Sequence, residues 1–453
     1  MKFRQFDFHR KITAGIKACH YEKPTPIQKE AIPAILDGRD ILGLAQTGTG
    51  KTAAFVLPVL QHLLEGPRRR VRTLIIAPTR ELAEQIHTEI SRLACKTGIR
   101  SLAIYGGVGK PAQAKKLRAG VDIVVACPGR LLDHLRDRAL NLSKVEHLVL
   151  DEADHMLDMG FLPDIRRILK FLPAKRQTLF FSATMPNEIR SLAEEVLDNP
   201  VRVQIAHSRP TTTVSQELYP VDQNKKVVLL KEIMAKTDMV STLIFTRTKY
   251  RAKSLAGQLQ KAGYTATSLQ GNLSQQKRQK ALNGFRRGEF KVLVATDIAA
   301  RGIDVTNISH VINFDVPATV EAYTHRIGRT GRAEKTGAAF TFVTREDRKI
   351  ISQIERSLGK KLVRNNPSGD DDAATDRRFP PAKQARKSWN RTKKNFQSAS
   401  RRNLQQAGKS RTTSGTGITE IDPDRQSQSG DRQGRKRRAA VMIDRAGNIF
   451  LNP

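Results

Sequence analysis

The stretch that decides the fold runs from residue 41 to residue 52 and reads Ile41-Leu42-Gly43-Leu44-Ala45-Gln46-Thr47-Gly48-Thr49-Gly50-Lys51-Thr52. The apolar residues at its start predict a buried strand, and the glycine-rich turn leads into a helical pattern at 52–64. In this arrangement the glycines let backbone N–H groups curl around phosphate oxygens, and the helix N-terminus adds positive potential. The stretch therefore predicts a phosphate-binding loop.

The loop supplies a set of candidate nucleotide contacts, which are Ala45, Gln46, Thr47, Gly48, Thr49, Gly50, Lys51 and Thr52. Lys51 would neutralise the β- and γ-phosphates, and Thr52 would supply an oxygen to Mg²⁺. Ala45 stands where the strict motif has glycine. The alternative is a glycine-rich turn with a chance Gly-Lys-Thr, and the surrounding strand and helix favour nucleotide binding over it.

An acidic partner for this loop lies at 151–154, where Asp-Glu-Ala-Asp ends an apolar run. Ligands of open α/β sheets bind at the carboxyl ends of the strands, so Asp151 is placed to hold Mg²⁺, through water. Glu152 is placed to act as general base on the attacking water. An isolated acidic cluster usually faces solvent, but a phosphate-binding loop at another strand end favours a catalytic role.

Short apolar runs recur along the chain, each followed by a helical pattern, and they form two sets. The first lies at 41–44, 73–77, 123–126, 147–150 and 178–181, and the second at 242–245, 265–269, 291–295, 310–314 and 338–343. Another apolar run, at 102–105, precedes Gly106 and Gly107. Runs without polar alternation are typical of strands buried on both faces, so the pattern predicts parallel sheets covered by helices. We predict an α/β fold with domains at 30–207 and 217–362, an N-terminal region at 1–29 and a linker at 208–216.

Charge and composition restrict the partners. The 453-residue chain carries 79 Lys and Arg against 44 Asp and Glu, a net charge of +35, which favours a polyanion such as nucleic acid. Three scattered cysteines predict neither a zinc site nor a disulfide framework and fit a reducing compartment. A polar N-terminus and the lack of a long apolar run argue against a signal peptide and a membrane span, so we predict a cytoplasmic protein with no membrane partner.

Residues 363–453 differ from the rest because polar and basic residues dominate and apolar periodicity is lost. Such a segment buries too little apolar area to offset its ordering entropy, so we predict a disordered, basic, RNA-binding tail. Cations and aromatics alternate at 386–396, around Trp389, which is a sequence-tolerant way to hold RNA. A solubilising tail without a fixed partner is the alternative, and the basic run at 435–438 also fits a nuclear signal.

These motifs resemble, in order and spacing over residues 1–345, the DEAD-box ATP-dependent RNA helicases, and the finer features are most similar to the bacterial RhlE-like branch. The resemblance implies two tandem RecA-like (P-loop NTPase) domains. It implies that residues 24–28 form the Q motif, in which Gln28 reads adenine, Thr25 belongs to the ATP site and Phe3 stacks on the base. His20 stands where the family usually has glycine.

The resemblance also implies how hydrolysis is coupled to RNA. Ser182 and Thr184 would bond to the acidic cluster near Asp154 and, with His325, link ATP hydrolysis to strand separation.

Further second-domain residues are implied to complete the ATP site. Arg329 and Arg332 would be the arginine fingers that stabilise charge on the transferring phosphoryl group. Gly302 and Asp304 would meet the nucleotide sugar. The predicted catalytic set is therefore Lys51, Asp151, Glu152, Arg329 and Arg332, and because it spans two domains, hydrolysis is expected to depend on their closure.

Candidate RNA contacts follow strands in both domains. In the first they are Pro78, Thr79, Arg80, Gly106, Gly107, Pro128, Gly129 and Arg130, which would offer backbone N–H groups and arginines to phosphates. In the second, the matching residues are Arg247, Gln270, Gly271, Gln275, Arg278, Thr296 and Asp297. A turn or cap explains any one of them equally well, but their shared strand-end location favours the set. Cys127 stands where the family usually has threonine.

The predicted function is an ATP-dependent RNA helicase that locally and non-processively unwinds short duplexes or remodels RNA–protein complexes. Contacts mainly to sugar and phosphate imply little sequence preference, and the choice of RNA over DNA rests on the resemblance. One alternative is an RNA chaperone or scaffold that acts through the basic tail without unwinding, and another is a DNA-directed translocase. Ribosomal and RNA-decay complexes are both compatible with the family.

Overall fold

The computed structural model describes residues 2–45, 48–205, 214–237, 239–300, 308–331 and 336–365, and the backbone of 442–443 and 449–450. The chain divides into two compact units, Met1–Ala373 and Ala374–Pro453. In the second unit, strands Met442–Ile443 and Ile449–Phe450 pair antiparallel. The rest of the predicted tail beyond 365 lies outside the described residues. No helix in the described ranges has both the length and the apolar character needed to cross a bilayer.

The first seven strands of the chain form one sheet. They are β1 Ile41–Leu44, β2 Thr73–Ile76, β3 Ser101–Ile104, β4 Ile123–Ala126, β5 His147–Leu150, β6 Gln177–Ser182 and β7 Val201–Gln204. Their order across the sheet is β3-β4-β2-β5-β6-β1-β7, and neighbouring strands are parallel. The phosphate-binding loop after β1 and the acidic run after β5 therefore meet at the same edge of the sheet.

Helices cover this sheet on both faces, as parallel strands require. They are α1 Arg10–Ala18, α2 Pro26–Leu36, α3 Lys51–Leu63, α4 Arg80–Leu93, α5 Lys110–Arg118, α6 Pro128–Arg136, α7 Ala153–Asp158, α8 Leu162–Leu169 and α9 Asn187–Val196, after a 3-10 turn at Phe3–Phe6. Side chains alternate between two buried cores: Ile75 of β2 faces one, while Leu74 and Ile76 face the other.

The second sheet repeats the plan. Its strands are β8 Val214–Pro220, β9 Thr242–Phe245, β10 Ala266–Leu269, β11 Val292–Ala295, β12 His310–Asn313, β13 Gly337–Val343 and β14 Val363–Arg364, in the order β10-β11-β9-β12-β13-β8-β14. Its helices are α10 Lys226–Lys236, α11 Lys249–Lys261, α12 Gln275–Arg286, α13 Asp297–Ala300, α14 Val320–Ile327 and α15 Arg348–Leu358, with a 3-10 turn at Arg345–Asp347. The predicted α/β fold with two parallel sheets is confirmed.

Three strands of the two seven-stranded sheets were not predicted from the apolar pattern. In the edge strand β7 only Val203 is fully buried, so no continuous apolar run marks it. β8 begins inside the segment predicted as linker, 208–216. β14 lies inside the predicted tail, and both of its residues are exposed; it is held by backbone pairing with β8 and by Asn365, whose N–H donates to Leu218 O at 2.8 Å. Backbone hydrogen bonds of this kind leave no mark on composition.

Candidate nucleotide and RNA sites

The phosphate-binding loop has the backbone that its glycines permit. Gly48 and Gly50 adopt φ of +87° and +93°, a region that side-chain-bearing residues rarely enter. Lys51 begins α3 and is buried, with its Nζ donating to Ala45 O at 3.0 Å and lying 3.6 Å from Asp151 Oδ1. The fold thus brings the predicted phosphate-binding cation to the predicted metal-binding carboxylate. Gln46 and Thr47 lie outside the described residues.

The Q motif is joined to this loop by direct hydrogen bonds. Gln28 Oε1 accepts from Thr25 N at 2.9 Å, and Gln28 Nε2 donates to Gly50 O at 3.1 Å. A Cβ at position 50 would lie 2.7 Å from Gln28 Nε2, so the close approach also requires glycine there. The predicted adenine contact of Gln28 stays a prediction; the structure shows its amide tying α2 to the phosphate-binding loop.

Phe3 lies beside the same motif but is buried. Its ring packs edge-on against Phe6 and stacks on Tyr21, with centroids 6.1 Å apart in both pairs. Tyr21 also lines a cavity of about 580 Å³ that reaches the loop at Gly50 and Lys51. The aromatic pair therefore borders the nucleotide region, and stacking of Phe3 on adenine remains a prediction. His20, before Tyr21, adopts φ +56°, which explains why glycine suits this position.

The acidic run forms a buried cluster. Asp151 is only 2% exposed, and its Oδ1 accepts from Glu152 N at 3.0 Å. Burial raises the pKa of Asp151 to about 6, although Lys51 opposes this shift. Burial alone would also raise the pKa of Glu152, but His155, Lys51 and Arg329 outweigh it and hold the pKa below its usual range. Glu152 is therefore a carboxylate at neutral pH, the form that accepts a proton.

Glu152 is held in an unusual geometry. Its φ of +54° is left-handed, and its Oε2 lies 2.9 Å from His155 Nδ1 one helical turn later. A strained, buried carboxylate with a fixed partner is a common feature of functional sites. Sequence reasoning missed His155, because its contact with Glu152 depends on the turn of α7.

The donor set fits Mg²⁺ rather than a softer metal. The Asp151 carboxylate and the Thr52 hydroxyl offer oxygen, which Mg²⁺ prefers, and Mg²⁺ sites in nucleotide-binding proteins use few protein ligands and complete their shell with water and phosphate. In the described ranges, no group of three or more His, Cys, Asp or Glu side chains is arranged to hold a metal by itself.

The triplet at 182–184 is bonded to Asp154. Asp154 Oδ2 accepts from the N–H of Ala183 at 3.1 Å, and from the N–H and hydroxyl of Thr184 at 2.9 and 3.1 Å. Ser182 Oγ donates to Thr184 O at 2.7 Å and lies 3.3 Å from Asp154 N. The end of β6 is thereby fixed to the start of α7.

A histidine pair connects this cluster to the second domain. His155 Nε2 and His325 Nδ1 lie 3.4 Å apart, with the rings edge to face. Burial, followed by the neighbouring His155, lowers the pKa of His325 to about 4. His325 is therefore neutral at physiological pH.

Two buried arginines near His325, Arg326 and Arg329, have different partners. Arg329 is buried and contributes to the low pKa of Glu152. Arg326 is also buried: it binds both carboxylate oxygens of Asp297 at 2.5 and 2.7 Å and donates to Asp315 O at 2.7 Å. Asp297 was predicted as an RNA contact, and the structure shows it holding α14. Arg332, Gly302 and Asp304 lie outside the described residues.

The first-domain RNA candidates share the carboxyl edge of the sheet. Thr79 caps α4 by accepting from Leu82 N at 3.2 Å, between Pro78 and Arg80. Gly107 has φ +84°, and a Cβ there would clash with the Arg80 guanidinium, so Arg80 lies against the Gly106–Gly107 turn. Pro128 and Gly129 open α6, from which Arg130 donates to Val108 O at 3.1 Å and Gln113 Oε1 at 2.9 Å.

Most of the second-domain candidates lie at the carboxyl ends of the strands in the second sheet. Arg247 follows β9 and its side chain is 69% exposed. Gln270 and Gly271 follow β10, Gln275 begins α12, and Thr296 follows β11.

Arg278 has a partner in the other domain. Its Nε donates to Glu81 Oε1 at 2.6 Å, and its Nη1 donates to Gln270 O at 3.3 Å. Glu81, which sequence reasoning did not select, thus joins α4 to α12.

Two known protein families match the two domains of this chain. The family described as DEAD/DEAH box helicase matches residues 25–192, and the helicase conserved C-terminal domain matches residues 225–334. The chain is 43% identical over 362 residues to the ATP-dependent RNA helicase CshA of Listeria monocytogenes, covering 80% of this chain and 69% of that protein. The chain belongs to the DEAD-box ATP-dependent RNA helicases.

Two further relatives extend the comparison of this DEAD-box chain. The DEAD-box ATP-dependent RNA helicase RhpA of Helicobacter pylori is 39% identical, over 80% of this chain and 73% of that protein. The structure of S. cerevisiae Dbp5 bound to RNA and ADP BeF3 matches with a TM-score of 0.72 and 31% identity, over 81% of this chain and 96% of that one. The fold is that of two tandem RecA-like domains. The RhlE-like branch stays a prediction.

Proposed function

We propose that the protein hydrolyses ATP and uses the resulting domain movement to separate short RNA duplexes and remodel RNA–protein complexes locally. The observation that carries this proposal is that the two domains contact each other both at the proposed ATP site and at the proposed RNA site. His155 meets His325 beside Glu152, and Glu81 meets Arg278 beside the predicted RNA contacts. A protein built this way can make hydrolysis depend on RNA that binds across both domains.

In this proposal the first domain binds ATP. The backbone N–H groups of 45–50 surround the phosphates, and Lys51 exchanges its bond to Ala45 O for phosphate oxygens. Thr52 and Asp151 would hold Mg²⁺, through water, and the bound ion would supply positive charge that offsets the phosphate oxygens. Gln28 and Phe3 are the proposed adenine contacts.

Glu152 is the proposed general base. Its depressed pKa keeps it ionised at neutral pH, and its strained backbone fixes the carboxylate where β5 ends. Arg329 from the second domain is positioned to stabilise charge on the transferred phosphoryl group, and Arg332 is proposed as its companion. The reaction therefore needs residues from both sheets.

RNA is proposed to bind along the carboxyl edges of the two sheets, against the first-domain set from Pro78 to Arg130 and the second-domain set from Arg247 to Asp297. Contacts to sugar and phosphate hold a single strand with little sequence preference. A strand bent to follow both walls cannot stay in an A-form duplex, so a few base pairs open. Hydrolysis then releases the strand, which makes unwinding local and non-processive.

The relatives support this proposal. CshA and RhpA carry the name ATP-dependent RNA helicase, and Dbp5 was solved with RNA and ADP BeF3. We carry RNA and adenine nucleotide over to this chain as its substrates. A cytoplasmic location is proposed on the same basis, and ribosomal or RNA-decay complexes are proposed partners.

The test is ATP-driven displacement of a short RNA duplex by the full chain and by a chain ending at Asn365, which keeps β14. We expect both to displace the strand with ATP, and neither to do so when a non-hydrolysable analogue replaces it under multiple-turnover conditions. Annealing activity that needs only the tail would support the chaperone alternative instead. Equal stimulation of ATP hydrolysis by RNA and by DNA would support the translocase alternative.

A further inference from the structure

One exposed aromatic side chain adjoins the proposed RNA contacts without belonging to them. Tyr250, in the first turn of α11, is 71% exposed and is the most exposed large apolar side chain in the part of the chain that the structure describes. Single exposed apolar residues are common on protein surfaces. The surroundings of Tyr250 distinguish it.

Tyr250 lies among groups suited to a nucleotide. Lys249 Nζ lies 5.2 Å from the centroid of the Tyr250 ring and donates to Asn272 Oδ1 at 3.0 Å. Asn272 follows Gly271 after β10, while Lys249 follows β9 and the exposed Arg247. The ammonium group of the exposed Lys249 therefore lies over the Tyr250 ring and is held there by Asn272.

The sheet order places this pair at the proposed RNA path. The bond from Lys249 to Asn272 joins the segments that follow β9 and β10, and β11, which Thr296 follows, lies between these two strands in the sheet. Proposed RNA contacts follow all three of these neighbouring strands, and the segments after two of them carry the exposed ring and its cation. All of these residues belong to the second domain, so the arrangement does not depend on domain closure.

We propose that Tyr250 is a stacking platform for one base of the bound RNA, with Lys249 at a neighbouring phosphate. An aromatic ring stacks on any base because every base has a π-face, and a nearby cation attracts the backbone. The contact would add affinity while keeping sequence preference low, which agrees with binding mainly through sugar and phosphate. This inference rests on the proposed RNA binding and adds a base contact to it.

The decisive probe is a single-stranded oligouridine with one 5-iodouracil at successive positions, bound to the full chain with a non-hydrolysable ATP analogue. Irradiation is expected to attach the RNA to Tyr250 from one position, identified by mass spectrometry of the crosslinked peptide. RNA affinity is then measured for Tyr250→Ala, Tyr250→Phe and the control Phe171→Ala. Phe171 is a 48% exposed aromatic between α8 and β6, at the opposite edge of the first sheet.

We expect Tyr250→Ala to weaken RNA binding about fivefold to tenfold, with Tyr250→Phe and Phe171→Ala close to the unchanged chain. Replacing the crosslinked nucleotide by an abasic one should remove the difference between Tyr250→Ala and the unchanged chain. Equal affinity of the two on intact RNA, or an equal loss on abasic RNA, would overturn the stacking role while leaving the helicase proposal in place. Failure of the unchanged chain to bind RNA would overturn both.

Discussion

Arg278 Nε and Glu81 Oε1 lie 2.6 Å apart, in a buried ion pair that connects α12 of the second domain to α4 of the first. Both residues adjoin proposed RNA contacts, Arg80 on one side and Gln270 on the other. Charge pairs removed from water depend strongly on their partner, because an unpaired buried charge is unfavourable. The pair therefore helps to hold the two domains in the arrangement that brings the proposed RNA contacts of both domains together.

Separating this pair should weaken RNA-dependent activity. Removing one member of a buried pair typically costs about 3–5 kcal/mol, so Glu81→Gln and Arg278→Gln should each raise the RNA concentration needed for half-maximal ATP hydrolysis. Glu81 is the cleaner variant, since Arg278 is also a proposed RNA contact. In the double variant the two losses should be less than additive. Strict additivity would mean that the pair does not couple the domains.

Replacing the proposed base should separate binding from chemistry. Glu152→Gln keeps the shape of the side chain but cannot accept a proton, so the turnover number should fall by about 10²–10⁴-fold. RNA release should slow, because the closed state no longer proceeds through hydrolysis. Single-turnover hydrolysis and RNA dissociation measure the two effects. A near-normal steady-state rate would exclude Glu152 as the base.

The stability of the first domain should depend on His147. Burial, followed by the neighbouring His62, lowers the pKa of His147 to about 4, and its ring contacts Gln177 Oε1 at 2.9 Å. The unfolded chain binds a proton near pH 6.5 and the folded chain only near pH 4, so stability falls as pH drops through that window. The full effect is about 3 kcal/mol.

The check is urea unfolding at several pH values for the unchanged chain and His147→Gln, whose amide can still reach Gln177. The variant should lose less stability between pH 6.5 and pH 4 than the unchanged chain. Parallel pH profiles would show that His147 is not the source of the acid sensitivity.

The N-cap of α6 offers a stabilising substitution. Cys127 occupies this position with extended backbone, φ −87° and ψ 140°, and its side chain makes no capping hydrogen bond. Serine at an N-cap accepts from a backbone N–H in the first turn, so Cys127→Ser should stabilise the chain by about 1 kcal/mol. Denaturant midpoints measure this, with Cys127→Ala as control. A gain for alanine equal to that for serine would contradict the capping explanation.

The strands and the phosphate-binding loop were predictable because they have local sequence signatures. The loop at 45–52 and the run at 151–154 follow buried strands, and a parallel sheet brings such strand ends together. β7, β8 and β14 were missed for a different reason: β7 and β14 lie at sheet edges, and β8 mixes buried and exposed residues, so no continuous apolar run marks any of them. Residue type alone therefore could not reveal them.

In the site, too, some contacts were predictable from the sequence and others were not. Lys51 and Asp151 were predictable as neighbours from topology. The contact between Glu152 and His155 depends on one helical turn of α7, and those of Arg278 with Glu81 and of Asp297 with Arg326 join residues that are distant along the chain. Such pairs are set by tertiary packing, so Asp297 could look like an RNA contact from its motif while the structure gives it an arginine partner.

The central claim is that ATP chemistry is completed only when the two domains meet around RNA. Steady-state ATP hydrolysis by the full chain, with and without single-stranded RNA, tests it most directly, with Arg329→Ala measured in parallel. We predict slow hydrolysis alone, strong stimulation by RNA, and loss of that stimulation in the variant. Equal rates with and without RNA, unchanged by Arg329→Ala, would contradict the claim.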